Sequence, residues 1–296
     1  MDVFSFHRFF LLVLMSIGLF FSLVACFALY EREHFRATQV AFFDVGQGDA
    51  TLISEGSYQI LIDGGPDGRV LLEELGRHMP FWDDTIEVVI ATHPDGDHID
   101  GLVDVVQSYH VDHFFTTSIE KDTSVYTALV RNLKNRAIEI QDIEKGFQFT
   151  FESGSSLEII YPFVQEDVVQ LADDPNNTSI SGIFSVRKDR ESAIYENFFL
   201  GGDLHSEIED LLPVDGSITV LKAGHHGSGT STSQKFLEQL KPRDVIFSAG
   251  LGNRYNHPKE SIVQRVEDFG ATIYRTDMQG SIVYECREQC VVSVDR

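Results

Sequence analysis

The order of elements along this chain predicts a layered α+β sandwich rather than a doubly wound sheet. Strand-like segments cluster first, and helix–strand alternation follows. Polar motifs fall repeatedly just after apolar strand ends, where loops on a rigid sheet carry chemistry. One uncharged N-terminal run stands outside that pattern. The chain has 296 residues, and the roughly 260 beyond the run suffice for one large domain with its own core. Hydrophobic content is 43%, which is ordinary for a folded domain and excludes bulk disorder.

Residues 39–45 read as a buried strand, and 50–54 and 58–62 as the next two, with Glu55-Gly56-Ser57 as a hairpin turn. Asp63-Gly64-Gly65-Pro66 ends the third strand. A short helix is expected at 70–78, and a strongly apolar strand at 85–91 runs into His93. Helix 99–108, strand 113–117 and helix 125–136 follow. Two strands fall within 147–161, then a polar loop at 165–177, then strands at 180–186 and 193–200. The remainder alternates: strand 217–222, helix 231–240, strand 244–248, helix 258–268, and strands near 271–275, 280–286 and 290–294.

Residues 9–30 carry no charge. As a helix they span roughly 33 Å, enough to cross a bilayer core. Leu23-Val24-Ala25-Cys26 also resembles a lipoprotein signal box, but the apolar run continues past Cys26, which favours an uncleaved anchor. The chain thus divides into a flank at 1–8, an anchor or signal segment at 9–30, a polar linker at 31–38 and a domain at 39–296. Arg8 precedes the run while Arg32 and Arg36 follow it, so the positive-inside rule does not support an inside N-terminus. The acidic domain favours a position outside the membrane.

The formal net charge of −23 argues against a protein that coats nucleic acid, because phosphate binding needs clustered Lys and Arg. It leaves room for a nuclease whose metal ions neutralise a local carboxylate cluster. Of three cysteines, Cys26 lies in the apolar run. Cys286 and Cys290 fit either a disulfide across a short hairpin, which would suit an oxidising compartment, or two free thiols on neighbouring strands.

The central motif is Thr92-His93-Pro94-Asp95-Gly96-Asp97-His98, directly after an apolar strand. Its imidazoles and carboxylates suit zinc, manganese or iron. Packing two of each so closely is costly without a cation to balance them. Gly96 permits a sharp turn, and Pro94 keeps the residue before it extended. Asp203 ends the apolar segment F-F-L-G-G-D, well placed to bridge two ions. A third group, Lys222-Ala223-Gly224-His225-His226-Gly227-Ser228, again follows a strand; one histidine can ligate while its neighbour faces substrate. In Asn253-Arg254-Tyr255-Asn256-His257-Pro258, Arg254 suits a phosphate oxygen and His257 a proton donor or substrate contact. The plain alternative for this last segment is a loop capping the following helix.

The ordered set F-D-V-G-Q-G-D (43–49), L-I-D-G-G (61–65), T-H-P-D-G-D-H (92–98), G-G-D (201–203), H-H-G-S (225–228) and N-H-P (256–258) resembles the metallo-β-lactamase-like domain of the ComEC competence family. The likeness covers nearly all of the chain after residue 38. It implies a four-layer αββα sandwich with two divalent metal ions, Zn2+ or Mn2+, in the cleft between the sheets. The general superfamily motif is H-x-H-x-D-H; Asp95 takes the second histidine position, as in the ComEC-like branch. Carried over, His93, Asp95 and one further residue hold the first metal. Asp97, His98 and His225 hold the second, and Asp203 bridges. The usual third histidine of the first site has no clear match, and Asn177 in D-D-P-N-N-T-S-I matches an asparagine of that branch. The harder oxygen of Asp95 moves the metal preference toward manganese. Asp44 and Asp49 are expected to hold the glycine loop, with Asp63 supporting the ligands. Lys222, Ser228, Arg254 and Asn256 are expected beside the metals or against substrate.

The reaction implied is hydrolysis by a metal-bridged hydroxide, with Asp97 orienting it or taking its proton. His226 or His257 would stabilise charge developing on oxygen. A phosphodiester is the leading substrate, and the resemblance points to DNA, since ComEC-like domains are associated with degrading one strand during DNA uptake. A single span leaves no room for a channel, so an outward-facing enzyme acting on DNA or on cell-envelope phosphodiesters is expected rather than a complete uptake machine. Two other classes stay in view: a lactone or β-lactam hydrolase, and a metal-bearing binding domain without catalysis. Protein partners are not legible.

Overall fold

In β1 (Thr38–Phe42), Val40 and Phe42 face one apolar cluster while Ala41 faces another, so both faces of the strand are covered. That doubled burial recurs in β2 (Thr51–Glu55), β3 (Tyr58–Ile62) and β4 (Thr85–Ile90), which is why they read as apolar runs rather than strict alternation. Further along come β5 (His110–Thr116), β6 (Ile140–Asp142), β7 (Gln148–Thr150), β8 (Ser156–Tyr161), β9 (Ser181–Val186) and β10 (Glu196–Leu200). The last are β11 (Val220–Lys222), β12 (Asp244–Phe247), β13 (Thr272–Arg275), β14 (Ile282–Cys286) and β15 (Cys290–Val294). This is a computed structural model, and it describes residues 3–34, 37–117, 119–164, 173–187, 189, 191–214 and 218–296.

The strands form two sheets, ordered β15-β14-β1-β2-β3-β4-β5-β6 and β13-β12-β11-β10-β9-β8-β7. Residues of both, among them Val40, Phe42, Ile60 and Val88 from the first and Phe184, Phe198, Val220 and Ile246 from the second, make the core between them. Tyr284 of the first sheet donates a hydrogen bond to Asp244 of the second at 3.0 Å, tying the layers through a buried polar contact. Helices cover the outer faces. α2 (Gly68–His78), α3 (Gly96–Ser108) and α4 (Ser124–Asn135) pack on the first sheet through Leu71, Leu75, Leu102, Val105 and Leu129. The short α5 (Ser206–Glu209), with α6 (Gln234–Leu240) and α7 (Glu260–Phe269), packs on the second through Ile208, Phe236, Leu237 and Val266. The expected αββα sandwich is therefore present.

Several boundaries differ from the sequence reading. α3 begins at Gly96, three residues inside the polar motif, with Asp95 extended (φ −77°, ψ 145°) before it and Asp97 in the first turn, where a carboxylate favours the helix dipole. β6 is a largely exposed three-residue strand and leaves no apolar pattern in the sequence. The four-residue α8 (Thr276–Gln279) is likewise too short to show a helical period. Most of the loop expected at 165–177 lies outside the described residues; its end forms a 3-10 turn over Pro175–Thr178. β11 starts at Val220, and 215–217 lie outside the described residues.

α1 (Val3–His34) runs into the segment expected to be a polar linker, because Glu31, Arg32 and Glu33 are sound helix formers. Its window Phe10–Phe27 is long and apolar enough to cross a membrane, and none of that window is buried by the domain. Cys26 is exposed on it. Cys286 and Cys290 are joined in a disulfide at the turn between β14 and β15 rather than standing as two free thiols.

Candidate metal centre

The ends of β3, β4 and β10, the start of α3 and the loop after β11 converge on one cleft. β3, β4 and β10 end on the apolar Ile62, Ile90 and Leu200 and then meet a polar motif, while β11 ends on Lys222 itself, so the sheets carry the polar groups to the cleft edge. The glycine loop 46–49 packs on the start of α3: Asp49 N donates to Asp97 O at 3.2 Å, and Gly65 N to Asp49 O at 2.7 Å. A Cβ at Gly48 would collide with the Asp97 carbonyl, so that position admits only glycine.

Asp63 stands in left-handed backbone (φ 60°) at the end of β3. Its Oδ1 accepts from Thr92 N and its Oδ2 from Thr92 Oγ1, both at 2.8 Å, and Oδ2 lies 2.8 Å from His98 Nδ1. This grip turns His98 Nε2 toward Asp203, 3.3 Å from its Oδ2. His93 is held likewise on its Nδ1 side, 3.1 Å from Thr92 Oγ1 and 3.2 Å from Ser179 Oγ. His226 Nδ1 lies 3.0 Å from the Ser248 carbonyl and 3.2 Å from Asp49 Oδ1. Its Nε2 lies 3.4 Å from Asp203 Oδ2 and 3.5 Å from Asp97 Oδ2.

The Nε2 atoms of His93, His98 and His226 and Oδ1 of Asp203 are buried without a hydrogen-bond partner among the described residues. Orphaned buried polar atoms are costly, and here they face one another. Two groups, His93-His98-Asp203 and Asp97-His98-His226, hold their donor atoms close enough for one ion each; Asp49-Asp203-His226 and Asp49-Asp63-His98 do so as well. These nitrogen and oxygen donors fit a divalent cation.

Electrostatics agree with that fit. Burial, and then the neighbouring His98, hold His93 well below its ordinary value, which leaves its Nε2 lone pair free. Burial opposes charge on His98, but Asp203 and Asp63 outweigh it and push that imidazole well above the usual range. His226 is raised to about 9 against burial by Asp203 and Asp49. Asp203 and Asp97 are both held below the usual carboxylate range despite burial, by His226 and His98. In sum, the carboxylates draw positive charge into the cleft. Lys222, 3% exposed, supplies part of it by pairing with Asp49 and standing 3.6 Å from Asp203 Oδ1.

The structure divides the His225-His226 pair differently from the sequence expectation. Both residues are left-handed (φ 47° and 54°), and this backbone sends His226 inward. His226 enters the compact donor groups and His225 does not, although His225 Nε2 is 3.7 Å from Asp203 Oδ2. His225 lies on the rim, stacked on His205 at 5.6 Å between ring centres and 5.7 Å from His257. Asp95 is also outside the compact groups; its Oδ1 pairs with Lys121 at 2.6 Å.

The supporting residues divide too. Asp49 and Asp63 touch the centre, whereas Asp44 holds the glycine loop from outside it: its Oδ1 accepts from Gly46 N at 3.4 Å, its own N–H donates to Ser281 Oγ at 2.9 Å, and its carboxylate pairs with Arg296 at 3.0 Å. Asn177 fastens its turn to the segment after Asp203, donating to Glu207 at 3.0 Å and accepting from His205 N at 3.2 Å. Ser228 bonds within its own loop, to Thr230. On the rim, Arg254 covers the Tyr255 ring at 4.7 Å, and Asn256 sits in left-handed backbone. His257, lowered to about 4 by burial and by His225, is neutral near pH 7. Asn253 holds this loop through its carbonyl oxygen, which accepts from Tyr255 N and His257 N. Sequence reasoning missed Ser179, which contacts His93 and accepts from Asp203 N at 3.1 Å, as well as His205 and Lys121. Only the position of Ser179 beside Asn177 hinted at it.

No family model matches the chain. ComE operon protein 3 of Bacillus subtilis (strain 168) is 28% identical to it, over 85% of this chain and 33% of that protein. Competence protein ComA of Neisseria gonorrhoeae is 37% identical over 28% of this chain and 10% of that protein. The chain spans a third or less of the length of these relatives. Among solved structures, the metallo-β-lactamase fold protein YhfI from Bacillus subtilis matches with a TM-score of 0.51 at 10% identity, over 87% of this chain and 100% of that one. The chain thus has the metallo-β-lactamase fold, and competence proteins are among its homologues.

Proposed function

We propose that this chain, with its metallo-β-lactamase fold and competence-protein homologues, is a membrane-anchored, metal-dependent phosphodiesterase that acts on DNA outside the membrane. The observation that carries the reading is the convergence on Asp203 of three buried imidazole nitrogens, of His93, His98 and His226, that have no hydrogen-bond partner among the described residues. In this reading His93, His98, Asp97, His226 and Asp203 hold two divalent ions, zinc or manganese. Asp95 joins them once released from Lys121, and His225 closes the rim. Bound ions of this kind supply an acidified water and positive charge at an oxygen that gains charge.

The chain's own groups do the rest. Asp97, held ionised and 32% exposed at its side chain, orients the attacking water as an acceptor or takes its proton. His257 and His225 face the leaving group across the rim, and Arg254 contacts a substrate phosphate. The uncharged run 9–30 within α1 supports insertion in a bilayer. The Cys286–Cys290 disulfide supports an oxidising compartment, hence a domain outside the cytoplasm.

The test is turnover of single-stranded DNA and of a chromogenic phosphodiester, with zinc or manganese, beside Asp97→Ala. Metal-dependent cleavage of DNA that is lost in the variant supports the reading. Cleavage of the small diester alone redirects it to envelope phosphodiesters. Metal binding with neither activity overturns it in favour of a lactone substrate or a binding role.

A further inference from the structure

Phe81 and Trp82 sit side by side in the turn between α2 and β4, 76% and 55% exposed. Their rings meet edge to face at 4.8 Å, and the Phe81 ring lies 6.2 Å from Phe27, the last residue of the apolar window of α1. Two adjoining aromatics left in water are an unusual expense on a surface this acidic, and their neighbour says what covers them.

Strand register gives the same answer without the Phe27–Phe81 contact. β1 opens at Thr38, and Gln39 pairs with Ser54 near the end of β2. Glu55 pairs with Tyr58 at the start of β3, and Ile60 of β3 pairs with Val88 of β4 in parallel. The exit from α1, the β2–β3 turn and the Phe81–Trp82 turn therefore share one end of the first sheet. Asp63, His93 and the start of α3 leave from the opposite end. The six residues of β4 alone separate the two ends by about 20 Å.

We propose that the Phe81–Trp82 turn is a second membrane contact, seating its rings in the headgroup region of the bilayer that α1 crosses; this rests on reading α1 as a span. Tryptophan favours that region because it offers an apolar body with one polar edge. Asp83 and Asp84 follow directly, and their carboxylates stop the turn from entering hydrocarbon. Asp83 is fixed in place, its Oδ1 accepting from Thr85 N at 3.3 Å. The metal cleft then opens away from the bilayer, toward a substrate that arrives from water rather than from a lipid headgroup.

Trp82 is the chain's only tryptophan, so its fluorescence reports this turn alone. The full chain is reconstituted in vesicles of phosphatidylcholine and phosphatidylglycerol, and carbonate extraction is run first. With the protein retained, the proposal expects blue-shifted Trp82 emission, loss of emission in vesicles brominated on the upper acyl carbons, and protection from acrylamide. Retained protein with red emission open to acrylamide and indifferent to bromolipid overturns the proposal alone. Blue emission indifferent to bromolipid also overturns it, and assigns the turn to a protein partner or a second copy. Release by carbonate overturns the anchor reading and the second contact together.

Discussion

Asp63 Oδ2 lies 2.8 Å from His98 Nδ1, with both side chains fully buried. The carboxylate fixes the proton on Nδ1, so that a cation displacing the Nε2 proton meets a lone pair there, beside Asp203. Asp63→Asn offers an amide in place of that acceptor and favours the opposite tautomer, with a proton pointing into the cleft. Metal affinity should weaken about 10–100-fold while the fold persists. Calorimetric titration with zinc, beside a thermal melt of the chelated protein, measures both; unchanged affinity would mean that the contact does not orient the ligand.

His226 and His225 make contrasting variants. His226→Ala removes an Nε2 that faces both Asp97 and Asp203, so the metal-to-protein ratio should fall. His225→Ala removes a rim imidazole that is 24% exposed at its side chain, so metal content should hold while turnover drops. Elemental analysis of both purified variants decides between them, and the reverse pattern would restore His225 to the ligand role.

Lys222 is a buried ammonium paired with Asp49 and near Asp203. Lys222→Met leaves those carboxylates uncompensated, at a cost of about 3–5 kcal/mol in chelated protein. Added metal supplies positive charge at Asp203 and should recover part of the loss. Denaturant midpoints with chelator and with manganese test this, and equal losses in both would separate Lys222 from the metal centre.

Local spacing made the strand-end motifs legible. His93, Asp97 and His98 come from one turn and the first turn of α3, and the chemistry of the set shows in seven consecutive letters. The sandwich was legible for a related reason: apolar strands and their turns are local signals. The roles of His225 and His226 were not, because two consecutive left-handed residues decide which ring points inward and no letter pattern announces that. Nor was the partner of Asp95, since Lys121 is distant in sequence. Ser179 escaped notice because one hydroxyl among polar residues carries no period.

Glu209 is 1% exposed, and burial raises its carboxyl from 4.5 to about 8 although it accepts from Thr232 N at 2.7 Å. Below pH 4.5 the folded and unfolded chains are both protonated at this group, and its contribution to stability is intact. Between 4.5 and about 8 the folded chain keeps the proton while the unfolded chain has released it, so stability falls as pH rises and the contribution is lost above about 8. Glu209→Gln keeps a neutral acceptor for Thr232 N and does not titrate. Urea midpoints of the chelated protein at the two ends of that range should fall more steeply for the wild type than for the variant. Parallel slopes would show that Glu209 ionises in place, and that the adjoining loop from Gly224 to Ser228 tolerates the buried charge.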